Sequence, residues 1–185
     1  VDEAGQVTEH HTLCAINRNT LWLILVGDHE QLPPCVVEES GMEQGTGMSA
    51  LERMVRLDFP MTMLNKQYRM YPSIARFSSM LFYDNRIEDG VKEGEVPAGF
   101  FWNRNNAFYF LNVNDCEKKA PNSHSLYNDG EVACVTDLVH NFLGSGIDAE
   151  NIGVIATYKT QAELLQSQLE HFGIACGTVD SFQGQ

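Results

Sequence analysis

Short apolar runs alternate along this chain with stretches in which apolar residues recur every three or four positions. Leu21 to Gly27 (LWLILVG) and Ile152 to Thr157 (IGVIAT) are continuous runs, typical of strands that are buried on both faces of a parallel sheet. Phe108 to Val113 and Cys176 to Val179 are two further candidates. The pattern therefore predicts four strands.

Helical periodicity lies between these runs. Asn128 and Glu131 predict a capped helix start and Gly144 its end, and Thr160 with Glu163 predicts a second capping box. The apolar residues after each start fall on one helical face: Val132, Val135, Leu138, Val139 and Phe142 in the first helix, and Ala162, Leu165, Leu169 and Phe172 in the second. Strands that alternate with helices predict an α/β fold with mainly parallel strands.

Two more helices are predicted nearer the start of the chain. Residues 49–57 have a helical pattern, and Pro72 suits the first position of another helix. We expect the core face of that second helix to consist of Ile74, Phe77 and Leu81. Residues 85–128 are rich in Gly, Pro, Asn and acids, so they predict surface loops around one strand.

Composition and charge narrow the class of protein. The 185 residues are 43% hydrophobic and 20% charged, which disfavours a disordered chain or a coiled coil. A net charge of −13 excludes a generally basic nucleic-acid coat. The longest apolar run is far below the roughly 20 residues of a membrane span. Five scattered cysteines without a CxxC pair and without a secretory leader predict an intracellular, cytoplasmic or nuclear protein with reduced thiols and no zinc site.

Two clusters of polar residues have the chemistry of a phosphate or metal site. Asp2 and Glu3 are adjacent carboxylates, and such a pair can hold Mg²⁺ with one group and polarise an attacking water with the other. Taken alone, such a pair is more often a solvated turn. Asp28 and Gln31 follow the first predicted strand, where open α/β sheets bind ligands, although a simple strand-to-loop turn explains the pattern equally well.

A third cluster is locally basic and aromatic. Residues 64–86 contain four basic residues and one acid, which gives a charge of +3 within an acidic chain. Interleaved Tyr and Phe residues suit phosphate binding by Arg with base stacking on the rings. We assign this function to Gln67, Tyr68 and Arg69 and not to the apolar helix face. Gly45-Thr46-Gly47 is not expected to be a phosphate loop, because no Lys-Ser or Lys-Thr follows it.

Five segments together resemble the motifs of superfamily 1 helicases, in the branch of the nonsense-mediated-decay helicase and senataxin. In order along the chain they are VDEAGQ, LVGDHEQLPP, LNKQYRMYPSIARFSSMLFYDNRI, IGVIATYKTQ and TVDSFQGQ. The resemblance covers nearly the whole chain. It implies RecA-like parallel sheets flanked by helices, the P-loop NTPase fold, with one partial and one nearly complete domain: residues 1–58, a linker at 59–66, and residues 67–185.

The resemblance also implies roles toward ATP. Asp2 would hold Mg²⁺ and Glu3 would activate the attacking water. Asp28 and Gln31 match the third motif, in which Gln31 reads the γ-phosphate. Gln67, Tyr68 and Arg69 would bind from the second domain, with Tyr68 near the adenine and Arg69 on the γ-phosphate.

Other matched residues would face single-stranded RNA or DNA. They are Tyr158, Lys159, Gln161, Asp180, Ser181 and Gln183, and Gly184 would link the strand to the nucleotide. The implied function is an ATP-dependent RNA or DNA helicase or translocase with protein partners in an RNA-processing or RNA-decay complex, and with no membrane contact.

The chain lacks two motifs of a complete enzyme, the Gly-rich phosphate loop and the later Arg-bearing motif. We therefore expect a fragment of a larger protein that does not hydrolyse ATP appreciably by itself. Two alternatives stay open: a truncated, catalytically inactive adaptor that binds nucleic acid or protein, and a metal-dependent phosphohydrolase or nuclease that uses Asp2, Glu3 and Asp28.

Overall fold

A computed structural model describes residues 1–36, 45–91, 107–121 and 123–182 of the chain. The chain divides into two compact units. The first unit comprises residues 1–70 and 75–90, and the second comprises residues 71–74 and 91–185. The domain limits predicted from the sequence, with a linker at 59–66, stay a prediction.

Helices and short strands alternate along the described residues. The helices are α1 (Glu9–Cys14), α2 (Ala50–Arg56), α3 (Pro72–Phe82), α4 (Asp129–Gly144), α5 (Lys159–Leu169) and α6 (Val179–Phe182). The strands are β1 (Lys66–Gln67), β2 (Glu88–Asp89), β3 (Lys118–Lys119), β4 (Leu126–Tyr127), β5 (Gly153–Ala156) and β6 (Ala175–Thr178). No helix in this part of the chain combines the length and apolar character that a bilayer crossing requires.

The core of the second unit is a β–α–β arrangement with a helix beside it. β5 and β6 are parallel, with Gly153 opposite Ala175 and Ala156 opposite Thr178. The buried core consists of Val139, Ile152, Val154, Ala156, Ala162, Leu165, Leu169 and Ile174. The predicted strands at 152–157 and 176–179 are confirmed. The apolar stripes of both predicted helices are also confirmed, except for Leu138, which does not belong to this cluster.

The starts of α4 and α5 differ in how they are capped. The Asn128 side chain accepts a hydrogen bond from the backbone N–H of Glu131 at 3.1 Å, as predicted. The predicted capping box of Thr160 and Glu163 is wrong, because α5 begins at Lys159 and its N-cap is Tyr158, two residues before Thr160. Ser125, which is remote in sequence, supplies the acceptor for the Thr160 N–H at 3.0 Å.

In the first unit, the helices α1 and α2 are short, with six and seven residues. α2 confirms the predicted helix at 49–57, and its N-cap Ser49 accepts from the Glu52 N–H at 3.0 Å. β1 and β2 are parallel, with Lys66 opposite Glu88 and Gln67 opposite Asp89.

The predicted helix at Pro72 forms as α3, but its buried face is not the one that we expected. Phe77 and Leu81 are 62% and 57% exposed, and Ile74 is also exposed. The buried residues are Ala75 and Ser79, four positions apart. Ser79 receives the returning chain, since its carbonyl and its hydroxyl accept backbone N–H groups from residues 83, 85 and 87.

Two predicted strands are wrong. The run Leu21 to Gly27 is not a strand: Val26 hydrogen-bonds to the backbone of Val1 and Ala4, but Leu21 is 88% exposed and Trp22 is 86% exposed. Phe108 to Val113 forms no strand in the described residues. The antiparallel pair β3 and β4 lies in the same region and was not predicted.

Candidate functional site

The first two predicted motifs are packed against each other, backbone to backbone. The Ala4 N–H donates to the Val26 carbonyl at 2.8 Å, and the Val26 N–H donates to the Val1 carbonyl at 2.9 Å. A Cβ added at Gly27 would lie 2.7 Å from the Ala4 nitrogen, and one added at Gly5 would overlap the Asp28 carbonyl oxygen. Only glycine at these two positions permits the approach.

The Asp2 and Glu3 carboxylates lie at the turn that this packing creates. Glu3 has a φ of 49°, an uncommon conformation for a non-glycine residue that is often found at functional sites. The Asp2 carboxylate accepts from the Glu3 N–H at 3.0 Å, and the Glu3 carboxylate accepts from the Gln6 side-chain amide at 3.1 Å. Both acids are exposed, so both can reach a solvent-side ligand.

The carboxylates at this turn suit a magnesium site that has few protein ligands. Within the described residues, no group of three or more His, Cys, Asp or Glu side chains is arranged around a metal position. Mg²⁺ commonly binds through one or two carboxylates together with waters and substrate phosphates. A single carboxylate such as Asp2 fits that kind of site.

Asp28 is the centre of a hydrogen-bonded cluster in the first unit. One carboxylate oxygen accepts from the Glu30 N–H at 3.0 Å. The other accepts from the Gln31 side-chain amide at 2.9 Å and from the Tyr83 hydroxyl at 2.5 Å. Burial of the ring, followed by the hydrogen bond to Asp28, raises the pKa of Tyr83 well above the usual range of tyrosine, so the hydroxyl is a proton donor at neutral pH.

Sequence reasoning identified Asp28 and Gln31 but gave Tyr83 no individual role. Tyr83 lies 55 positions from Asp28 and directly after α3. The only signal in the sequence is that Tyr83 belongs to the basic and aromatic stretch.

The Gln67 side chain organises the loop that presents Tyr68 and Arg69. Its carbonyl oxygen accepts from the backbone N–H groups of Arg69 and Met70 at 3.0 and 2.7 Å. Its amide nitrogen donates to the Met70 carbonyl at 2.7 Å and to the Asp89 carboxylate at 2.6 Å. Gln67 therefore shapes the loop from within.

Tyr68 and Arg69 point outward from this loop. Both are exposed, and Tyr68 is 68% exposed. The Tyr68 ring lies against the backbone of Gly90, and the Lys66 ammonium is 5.8 Å from the ring centroid. An exposed ring and an exposed guanidinium side by side are available for a nucleotide base and a phosphate.

In the second unit, a cavity of about 780 Å³ lies beside β6 and between α5 and α6. Lys159, Asp180 and Ser181 line it, so the structure brings together residues from two predicted motifs. The lining also contains Glu163 and Glu170. With one base and three acids, this cavity would bind a strand through hydroxyl and backbone groups more than through charge.

Two other residues predicted to face nucleic acid do not line this cavity. Tyr158 is exposed but does not line the cavity. Gln161 is 7% exposed, and its amide is hydrogen-bonded to the Asn128 backbone and the Glu131 carboxylate. Gln183 and Gly184 lie outside the described residues.

Comparisons with known proteins decide the family. A family model described as an AAA domain matches residues 46–185, and another with the same description matches residues 1–39. Three relatives match the whole chain: the regulator of nonsense transcripts 1 of Caenorhabditis elegans (31% identical), the helicase sen1 of Schizosaccharomyces pombe (33%) and the ATP-dependent helicase NAM7 of Saccharomyces cerevisiae (29%). The chain belongs to the superfamily 1 helicases.

Membership of the superfamily 1 helicases confirms the resemblance seen in the sequence and implies a P-loop NTPase fold. The mixture of helices and strands, with small parallel sheets, agrees with that fold. The chain spans only 18%, 12% and 20% of the lengths of these three relatives. Their complete activities therefore do not transfer to this segment directly.

Proposed function

We propose that this chain is the segment of an ATP-dependent helicase or translocase that hydrolyses ATP between two RecA-like domains and moves along single-stranded nucleic acid. Residues 1–58 would belong to the first domain and residues 67–185 to the second, joined by the linker at 59–66. The proposal is supported by the family and by the name of the yeast relative, an ATP-dependent helicase.

The observation that carries the proposal is the close packing of the first two motifs. Gly5 and Gly27 allow the turn with Glu3 to contact the turn with Asp28, so the predicted catalytic acid and the predicted γ-phosphate sensor lie on neighbouring loops. A positioned base and a positioned sensor are what phosphoryl transfer to water requires of a protein.

In this mechanism each residue has one task. Asp2 would hold Mg²⁺, which supplies charge neutralisation on the phosphates when it is bound. Glu3 would accept a proton from the attacking water, and Gln31 would donate to the γ-phosphate. Arg69 would neutralise charge that develops on the transferred phosphoryl group. Tyr68 would stack on the adenine, while Gln67 holds the loop in shape.

Nucleic acid would bind along the second unit. Lys159, Asp180 and Ser181 line one cavity, and we propose that the nucleic-acid strand passes there. Tyr158 and Gln183 would also contact the strand, and Gly184 would link it to the nucleotide. One relative is named a regulator of nonsense transcripts, which supports RNA as the nucleic-acid strand and an RNA-processing or RNA-decay complex as the setting. Gln161 would act indirectly, by fixing the start of α4.

The test is a substitution in the full-length protein that contains this chain together with a phosphate-binding loop. Glu3→Gln keeps the shape of the side chain and removes the base, so nucleic-acid-stimulated ATP hydrolysis should fall by a factor of about 100 or more, while binding of a fluorescent ATP analogue is retained. Glu150→Gln, an exposed acid in the second unit, is the matched control and should leave turnover unchanged.

The alternatives give different results in the same assays. Normal turnover in Glu3→Gln would refute the assignment. A full-length protein without any ATP hydrolysis would favour the adaptor. Cleavage of RNA or DNA with Mg²⁺ and without ATP, abolished by Glu3→Gln, would favour the nuclease.

A further inference from the structure

The Asp28 carboxylate joins a loop and a helix end within the first unit. One of its oxygens is shared by two side-chain donors, the Gln31 amide and the Tyr83 hydroxyl, at 2.9 and 2.5 Å. The other oxygen is occupied by the Glu30 N–H at 3.0 Å. The orientation of the carboxylate is thus fixed by three donors, and the Gln31 amide takes its position from the same group.

The Tyr83 hydroxyl is held in place by the turn that ends α3. The Tyr83 N–H donates to the Ser79 carbonyl at 3.1 Å, and the Tyr83 carbonyl accepts from the Arg86 N–H at 2.8 Å and the Arg86 side chain at 3.3 Å. The Phe82 ring meets the Tyr83 ring edge-on, with centroids 6.4 Å apart. A ring fixed at both its backbone and its edge can impose a geometry on a carboxylate.

The turn after Tyr83 is conformationally specialised. Asp84 and Asn85 both have positive φ values, 51° and 58°, and Asp and Asn are among the few non-glycine residues that tolerate this region. The Asn85 N–H closes back on the Ser79 carbonyl at 2.9 Å. The chain reverses directly after Tyr83, which directs its ring at the loop containing Asp28.

The charge state of the cluster favours the same arrangement. Burial and the adjacent Asp28 raise the pKa of the Tyr83 hydroxyl, so the hydroxyl keeps its proton and donates a hydrogen bond to the carboxylate. A hydrogen bond from a neutral donor to a carboxylate is stronger than a hydrogen bond between two neutral groups.

We propose that Tyr83 is a positioning residue for Gln31, and that it acts through the Asp28 carboxylate that both side chains share. This inference rests on the proposed function, in which Gln31 contacts the γ-phosphate. It adds that the end of α3 sets the orientation of that amide, so a movement of α3 would change hydrolysis without a direct contact to the nucleotide.

The test uses Tyr83→Phe in the full-length protein, because this substitution keeps the ring and removes only the hydroxyl. We expect kcat for ATP hydrolysis to fall by about tenfold, the factor for one hydrogen bond to a charged group, with less than about a twofold change in KM. Tyr127→Phe, a partly buried tyrosine on β4, is the matched control and should leave both constants unchanged.

A double-mutant cycle separates positioning from general destabilisation. In the Gln31→Ala background the Tyr83→Phe substitution should have no further effect on kcat, because its target is already absent. Equal losses in the wild-type and Gln31→Ala backgrounds, or an unchanged kcat in Tyr83→Phe, would overturn the inference.

Two further measurements keep the outcome decisive. If circular dichroism shows that Tyr83→Phe does not fold, Asp28→Ala is used instead, because it removes the shared acceptor. Its effect on kcat should likewise vanish in the Gln31→Ala background. Equal losses of kcat in the wild-type and Gln31→Ala backgrounds would overturn the inference. Glu3→Gln in the same assay separates a failure of the positioning role from a failure of the proposed function. If Glu3→Gln abolishes turnover while the effects of Tyr83→Phe and Gln31→Ala are additive, only the positioning role is refuted.

Discussion

Gln161 and Asn128 exchange hydrogen bonds between a side chain and a backbone. The Asn128 N–H donates to the Gln161 Oε1 at 2.8 Å, and the Gln161 Nε2 donates back to the Asn128 carbonyl at 3.4 Å. Both residues are buried. The first turn of α5 thereby fixes the residue that caps α4, which connects two helices of the second unit through polar groups inside the core region.

Replacement of Gln161 by Ala should destabilise the chain. The substitution leaves the buried Asn128 N–H without its acceptor, and such a group costs about 1–3 kcal/mol. Urea unfolding followed by circular dichroism measures the loss. Gln168→Ala, an exposed position on the same helix, should change the free energy of unfolding by less than about 0.5 kcal/mol. Similar losses in both variants would contradict the assigned role of Gln161.

Leu169 tests the apolar part of the same core. Its side chain is fully buried at the end of α5, so Leu169→Ala should lower the free energy of unfolding by about 2–5 kcal/mol through lost burial and a residual cavity. Leu64→Ala removes the same atoms from a position that is 87% exposed and should have almost no effect. Urea midpoints of the two variants check the difference, and a loss below about 1 kcal/mol for Leu169→Ala would argue against this core.

The parts of the fold that sequence predicted correctly are those whose signals are local. The buried faces of α4 and α5 follow from apolar residues at helical spacing, and the α4 cap follows from Asn128 with Glu131 three residues later. Each of these signals lies within one helix, and each helix is long enough for its apolar residues to form a recognisable buried face.

The parts that sequence missed depend on partners far along the chain. Ser125 supplies the acceptor at the start of α5, and Tyr83 reaches Asp28 from 55 positions away. Neither pairing leaves a spacing pattern that can be recognised. The buried face of α3 was predicted wrongly for a related reason. Large apolar residues usually indicate the buried face of a helix, whereas here the segment that follows α3 packs on the small residues Ala75 and Ser79.

The glycine at position 27 should be intolerant of a side chain. A methyl group there would lie 2.7 Å from the Ala4 nitrogen and 2.9 Å from the Gly5 nitrogen, so the two motif turns must separate. Gly27→Ala should cost about 1–3 kcal/mol of stability, as overpacking usually does, and in the full-length protein it should also lower ATP turnover by displacing Glu3.

Gly144→Ala is the matched control for this glycine. It lies at the last position of α4, and nothing within 4 Å would meet the added methyl group. The substitution should be neutral or stabilising by up to about 1 kcal/mol, because alanine favours a helix over glycine. Thermal unfolding of both variants measures the contrast, and equal stability of the two would contradict the close approach at Gly27.

Tyr83 should make the stability of the chain sensitive to alkaline pH. Burial and the bond to Asp28 raise the pKa of Tyr83 in the folded state above its ordinary value of 10.0. Above about pH 10 the unfolded chain loses this proton while the folded chain keeps it, so the unfolded state binds fewer protons and the free energy of unfolding falls as pH rises. Below about pH 10 the contribution of Tyr83 is complete and independent of pH.

The decline should be steeper in the wild type than in Tyr83→Phe, and urea unfolding at a series of pH values measures it. Cys176 also has a raised pKa through burial, but it is common to both proteins and cancels in the comparison. Tyr127→Phe should follow the wild-type curve, and parallel curves for wild type and Tyr83→Phe would show that the hydroxyl does not hold its proton against Asp28.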